Sequence, residues 1–319
     1  MKKLYLSVLA VSALLFGSCS DFLDVQPEGS AITNAYFTND QQAIDAIDGL
    51  YKPLHKETVF GRDLFWEQGA ACDIVWGRTR NFNSLATLSY TGDEEPLRNS
   101  FDTFYQVMSR ANWIIKQLLD KETRTELSDV EKRSLGEAYF MRGMTHFLVA
   151  YRYGTDKQGV PFVRYEDFEG EYDSSIPPQQ PTVMDNYRLI IEDMDSAIEY
   201  LPKFEEYTED ERGRAHQAAA VAYKAKVYAY WATWDESQWN NVITMVGLLE
   251  TEYGRDLAQT FDELFSSDFA DYWNAEYIWS IPSTGGVNGG GSDFPGVVLE
   301  NKGWGVYNGW GQIKPTLDI

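Results

Sequence analysis

The sequence predicts a mainly α-helical protein: a stacked helical array over residues 36–254, with an irregular, loop-rich lobe drawn from residues 60–95 and 255–319. Three observations predict it. Apolar residues recur at steps of three and four through segment after segment, the period of a helix with one covered face. One of these segments carries two apolar seams, so it must be covered on two sides. The two remaining stretches hold many aromatics among Gly, Asn, Arg and Thr with no sustained period, as long loops do.

The first helix is predicted to open with Thr38 and Gln41 as a capping box, to carry Ala43, Ile47, Leu50 and Leu54, and to end near Pro53. A second opens at Pro96 and runs to about Leu119, with Phe101, Phe104, Met108, Ala111, Ile115 and Leu118 as its stripe. Ser128 and Glu131 form the capping box of a third, which turns Phe140, Met144, Phe147 and Tyr151 to one side and stops at Gly154. Thr182 caps a fourth, with Val183, Tyr187, Ile190, Met194, Ile198 and Leu201 inward and Pro202 closing it. In the fifth, Ala215, Ala218, Ala222, Ala225, Ala229 and Ala232 form a close-approach seam, and Tyr223, Val227, Tyr230 and Trp234 fill the wider gap opposite. The sixth, Ser237 to Tyr253, places Trp239, Val242, Val246 and Leu249 inward and ends at Gly254. Paired helices of this kind resemble tetratricopeptide units, although the period is irregular.

In the first irregular stretch Phe65, Trp66, Trp76, Phe82 and Tyr90 stand in a loop. In the second, ten of the 27 residues from 285 to 311 are glycine, which regular structure does not tolerate. The stretch "GWGVYNGWG" spaces Trp304, Tyr307 and Trp310 at intervals of three. Such aromatic content argues against disorder.

The N-terminus reads as an export signal: Lys2 and Lys3, then an apolar run from Leu4 to Phe16 too short to span a bilayer. Gly17-Ser18-Cys19 follows and looks like the lipobox of a bacterial lipoprotein, so residues 1–18 are expected to be removed and Cys19 acylated. More than one acyl chain would make that anchoring stable. Lysine and arginine number 27 against 49 aspartates and glutamates, a net charge of −22, with no basic cluster beyond the N-terminus to neutralise phosphates. Nucleic acid is therefore not an expected partner. Only Cys19 and Cys72 occur, so a lipidated Cys19 leaves Cys72 without a disulfide partner in the chain; Cys72 is expected as a small buried side chain.

Several segments together resemble the SusD/RagB family of outer-membrane lipoproteins, the nutrient-binding partners of TonB-dependent transporters. "CSDFLDVQP" is like the family's opening and "YFTNDQQAIDAIDGLY" like its first helix. "EAYFMRGMTHFLVAYRYGTDKQGVPFV" resembles a helix ending in a Tyr-Gly turn and a Val-Pro strand. "PTVMDNYRLIIEDMDSAIEYLP" and "GRAHQAAAVAYKAKVYAYWATW" are similar to two further helices, and "NAEYIWSIP" to a later strand. The resemblance runs in order from Cys19 to Ile319. It implies a SusD-like domain over residues 19–319 with a tetratricopeptide-like body. It also implies an oligosaccharide ligand, a transporter partner of the SusC type, and a lipid-anchored place on the exterior of the outer membrane. Pro315 and Thr316 look like the start of a helix that other members continue into a C-terminal region.

Sugar rings present flat faces of C–H bonds that an aromatic plane covers well, leaving hydroxyls for polar groups at the rim. Trp304, Tyr307 and Trp310 on the glycine-rich loop are one candidate platform; Trp76, with Arg78, Arg80 and Asn81 as polar arms, is another. The competing account makes the same rings the local core of the irregular lobe. Trp231, Trp234 and Trp239 sit at helical spacing and are expected in the core, while Trp273 and Trp279 flank the expected strand and read as structural.

No catalytic residue is assigned, since no spacing sets two of the many carboxylates apart as a glycosidase pair. His55, His146 and His216 lack metal-ligand spacing, and no metal or cofactor is expected. His146 reads as an interior histidine, and "TEDERG" as a solvated inter-helix turn rather than a calcium loop. A protein-binding helical scaffold and a glycoside hydrolase are the alternative functions.

Overall fold

In the computed structural model the described residues are 36–64, 75–77, 84–167, 179–265, 273, 276–282, 301–304, 309–311 and 313–315. The chain divides into two units, Met1–Thr38 and Asn39–Ile319. The first has only its last three residues described; the second holds the fold. The export signal, Cys19 and Cys72 lie outside the described residues.

Among the described residues α-helices form where the apolar period and the caps place them: α1 Asp40–Tyr51, α2 Glu95–Glu122, α3 Asp129–Tyr153, α4 Val183–Tyr200, α5 Gln217–Trp231 and α6 Trp239–Tyr253. Two capping boxes are made, one of them the expected Ser128–Glu131 pair. Ser128 Oγ accepts from the Glu131 N–H while Glu131 accepts from the Ser128 N–H, and Thr182 and Asp185 do the same for α4. At α1 the cap is Asn39, whose side chain accepts from the Gln42 N–H, and not Thr38. An Asn one residue nearer the helix reaches the free N–H groups first. The α-helix stops at Tyr51 and Pro53 enters a 3-10 turn, Lys52–His55, which carries Leu54 into the core. Gly254 ends α6 in the left-handed conformation at φ 58°.

From α2 onward each helix packs against the next, and α3 also meets α1 and α5, so it occupies the centre of the array. Its burial is continuous from Ser134 to Ala150. The expectation of one buried face is therefore too narrow: a helix with neighbours on every side has no solvent face. Gly136 and Gly143, two turns apart, let α4 approach. A Cβ at Gly136 would lie 2.9 Å from the Leu201 backbone nitrogen, and one at Gly143 2.8 Å from Met194 Cε.

Inside this packing Arg142 is fully buried and carries two bidentate pairs. It donates to Asp193 at 2.9 and 2.7 Å and to Glu166 at 2.9 and 2.6 Å, and a further bond to Asn112 Oδ1 is 2.7 Å. One guanidinium thereby ties α2, α3, α4 and the turn Tyr165–Asp167. Burial disfavours a charged Glu166, but hydrogen bonds from Arg142 and its charge outweigh that and hold the carboxyl below its ordinary value. Buried His146 bonds Asn186 Nδ2 at 2.7 Å and stacks on Phe162, in agreement with an interior role. "TEDERG" forms a short exposed turn between α4 and α5.

The array thins at its far end. Leu249 is the one buried residue of α6 among those described, and Trp239, Ile243 and Val246 are exposed. Trp234 is 49% exposed and Trp239 50%, which corrects the expectation that both belong to the core. α5 ends at Trp231, and among the described elements α6 packs chiefly on α5 and on the short turn Glu236–Gln238. Trp231 is half-buried near Tyr187 and Tyr228. Trp279 donates Nε1–H to Gly213 O at 3.2 Å and meets Phe140 edge-on, and Trp273 sits near Phe204, both packed as expected. Residues 277–282, expected as a strand, are extended chain without strand pairing among the described residues.

Candidate functional site

The two irregular stretches meet in a ribbon. β1, Val75–Gly77, pairs antiparallel with β2, Ile313–Pro315, with Trp76 in register with Lys314. Pro315 is thus the last residue of a strand, and Thr316, where a helix was expected to start, lies outside the described residues. A proline is tolerated there because an outer strand of a two-stranded ribbon need not donate every N–H.

Immediately before β2 the glycine-rich loop folds on itself. Trp304 N–H donates to Asn301 O at 3.1 Å across a turn that holds Gly303 at φ 82°. At the other end Gly311, at φ 56°, is buried against Asn301, where a Cβ would fall 2.4 Å from Asn301 Oδ1. Only glycine fits such a contact at that backbone angle. Asn301 and Gly311 thus bring the described ends of the loop together, and its two described indoles stay outside: Trp304 is 80% exposed and Trp310 46%. Neither ring serves as core for the lobe. Trp76 is placed on β1 by the backbone; Asn81 and Tyr307, and with them Arg78 and Arg80, lie outside the described residues.

A second concave feature escaped the sequence reading. Between the start of α2 and the chain leaving α3 runs an open groove of about 550 Å³, lined in part by Tyr90, Phe101 and Tyr153. Phe101 was expected in the core of α2, but it is half-buried and meets Tyr153 edge-on at 5.3 Å. The available signal was the run of aromatics at the last turn of α3, where Tyr151, Arg152 and Tyr153 follow one another and cannot all face inward.

The deeply buried carboxylates are structural. Glu137 accepts from Tyr51 Oη at 2.7 Å and from Arg214 at 3.3 Å, Glu131 pairs with Lys121, and Asp193 pairs with Arg142. Their partners are cations and hydroxyls of neighbouring helices, so they hold the array together. Among the described residues no cluster of His, Cys, Asp or Glu has the arrangement of a metal site, and no helix is long and apolar enough to cross a membrane.

Comparison with known proteins gives matches to this architecture. A SusD-like family model, described as starch-binding and associating with the outer membrane, matches residues 21–229. A SusD-like protein of Bacteroides ovatus is 29% identical over 244 residues, 74% of this chain and 40% of that protein. Among solved structures, a SusD-like protein of Bacteroides fragilis superposes with a TM-score of 0.68 at 18% identity, covering 89% of this chain and 52% of its own. Surface glycan-binding protein A of Bacteroides uniformis gives 0.67 at 20% identity, covering 88% and 60%. The chain thus spans about half the length of the relatives it matches.

Proposed function

Since the chain belongs to the SusD-like family, we propose that it is a non-catalytic glycan-binding protein that captures oligosaccharide and passes it to a TonB-dependent outer-membrane transporter of the SusC type. The observation that carries this reading is the pair of exposed indoles, Trp304 and Trp310, on a glycine loop tied back by Asn301 and continuous with the β1–β2 ribbon. A tryptophan exposed on a closed loop costs apolar hydration unless a flat apolar partner covers it, and a pyranose face is such a partner. Trp76, on the strand that pairs with the end of that loop, is assigned to the same platform. Asn81 supplies polar contact and Tyr307 a further ring. The relatives' descriptions as starch-binding and glycan-binding agree with this ligand class.

Lipid on Cys19 would hold the protein at the outer membrane, facing the exterior. Tritiated palmitate should label the full chain and fail to label a Cys19→Ala variant; equal labelling of both would remove the anchor.

Titration calorimetry against maltoheptaose, xylohexaose and mannohexaose tests the ligand. A stack worth about 1 kcal/mol makes Trp304→Ala and Trp310→Ala each weaken binding about five-fold. Unchanged affinity in both variants would discard the platform, and no binding to any of the three would discard the glycan-binding reading. Co-purification of a large outer-membrane barrel with the tagged protein is expected for the transporter assignment; its absence from detergent extracts would count against delivery.

A further inference from the structure

The groove at the start of α2 is lined, among the described residues, by none of the ribbon or the glycine loop. We propose that it holds a pyranose unit, as a second carbohydrate contact on the helical body. The ligand class rests on the reading above; the location does not.

Four features support it. The walls are rings with accessible faces: Tyr90 and Tyr153 are exposed, and Phe101 is half-buried, edge-on to Tyr153 and 4.6 Å from Tyr105. The rim is polar, with exposed Arg98, Gln158 and Gln179. A guanidinium offers donors and two carboxamides offer donors and acceptors for ring hydroxyls, while the aromatic rings cover the C–H face. The size of about 550 Å³ lies within the range of small-ligand pockets.

The fourth feature is a floor that is already built. Asn186 clamps Val160 on both sides, accepting from its N–H at 2.8 Å and donating to its carbonyl at 3.0 Å. Gly159 N–H donates to Gln180 O at 3.0 Å, and a Cβ there would meet Asn186 Oδ1 at 2.3 Å. Tyr105 Oη donates to Pro161 O at 2.8 Å, and Thr155 closes the preceding turn through Gln158. A weak ligand with few contacts gains from a surface that need not be ordered on binding. Two separated contacts on one chain also suit a polymeric sugar, because the second engages at high effective concentration.

Photolabelling tests it in the full chain. Maltoheptaose, xylohexaose and mannohexaose, each carrying a diazirine, are photolysed with the protein and the labelled peptides mapped. Labelling within residues 90–101 or 153–161 by at least one sugar is expected. It should fall about five-fold in Tyr90→Ala and again in Arg98→Ala, both exposed positions whose substitution leaves the fold intact. Label confined to residues 301–311 would overturn the groove and leave the platform standing. Label confined to the groove would uphold this proposal and remove the platform. Groove labelling that is unchanged in both variants would also overturn it, and no labelling anywhere would overturn both.

Discussion

At the scale of single residues, His216 shows how much a sequence hides. It caps α5 with its ring: Nδ1 accepts from the Ala219 N–H at 3.3 Å and Nε2 lies 2.8 Å from Ile278 O. Because the carbonyl can only accept, Nε2 carries the proton and the ring is neutral. Burial first, and then the charge of Arg255, push its pKa down to about 4. A histidine depressed in the fold binds its proton more readily once unfolded, so stability is full above pH 6.5 and falls as pH drops from there toward 4. The loss approaches about 3 kcal/mol. Denaturant titrations between these limits should show that slope, and His216→Asn, which can still cap, should flatten it. Glu166 works at lower pH with the opposite chemistry: held below its ordinary 4.5, it stabilises fully above that value and loses its contribution as pH falls through the folded pKa. A Glu166→Gln variant should therefore be less stable at neutral pH and lose less on acidification, read by the same titrations. A helix start was legible at residues 38–41, yet Thr38 and Asn39 compete for the cap and only the geometry picks Asn39. The exposure of Trp234 was not legible either, because helical spacing says which face a ring is on and nothing about whether a neighbour covers it.

At the scale of elements, the caps and stops were read closely because they are local chemistry: Ser128–Glu131, Thr182 and Gly254 all act where the pattern put them. The central place of α3 was not local information. Its stripe looked like one face, and the sign of a further close neighbour lay in Gly136 and Gly143, whose meaning depends on where α4 runs. Gly136→Ala sets the two effects against each other. Alanine gains about 1 kcal/mol of helix propensity, but its methyl would stand 2.9 Å from backbone that cannot swing away. Overpacking of this sort costs about 1–3 kcal/mol, so net destabilisation is expected, with a thermal midpoint lowered by a few degrees. Ser128→Ala should cost about 1 kcal/mol through loss of the cap alone, measured by urea denaturation.

At the scale of the whole molecule, the helical array and its irregular lobe were legible as classes, whereas the joining of residues 75–77 to 313–315 was not. Three-residue strands show no alternation, and their partners are distant in sequence. The outer face of α6 belongs to this scale as well. Trp239, Ile243 and Val246 stand exposed together with Leu257, Phe261 and Phe265, which is more apolar surface than a solitary protein usually leaves in water. The chain in isolation should self-associate as its concentration rises, and Ile243→Lys with Val246→Glu should suppress this in sedimentation experiments.

The ribbon has a kinetic corollary. Residue 75 cannot find residue 315 until most of the polypeptide between them has been brought into place, whereas the helices need only near neighbours. The last event in refolding should therefore be the closure that presents the indoles of the glycine loop, with far-UV circular dichroism recovering before the fluorescence of those indoles does.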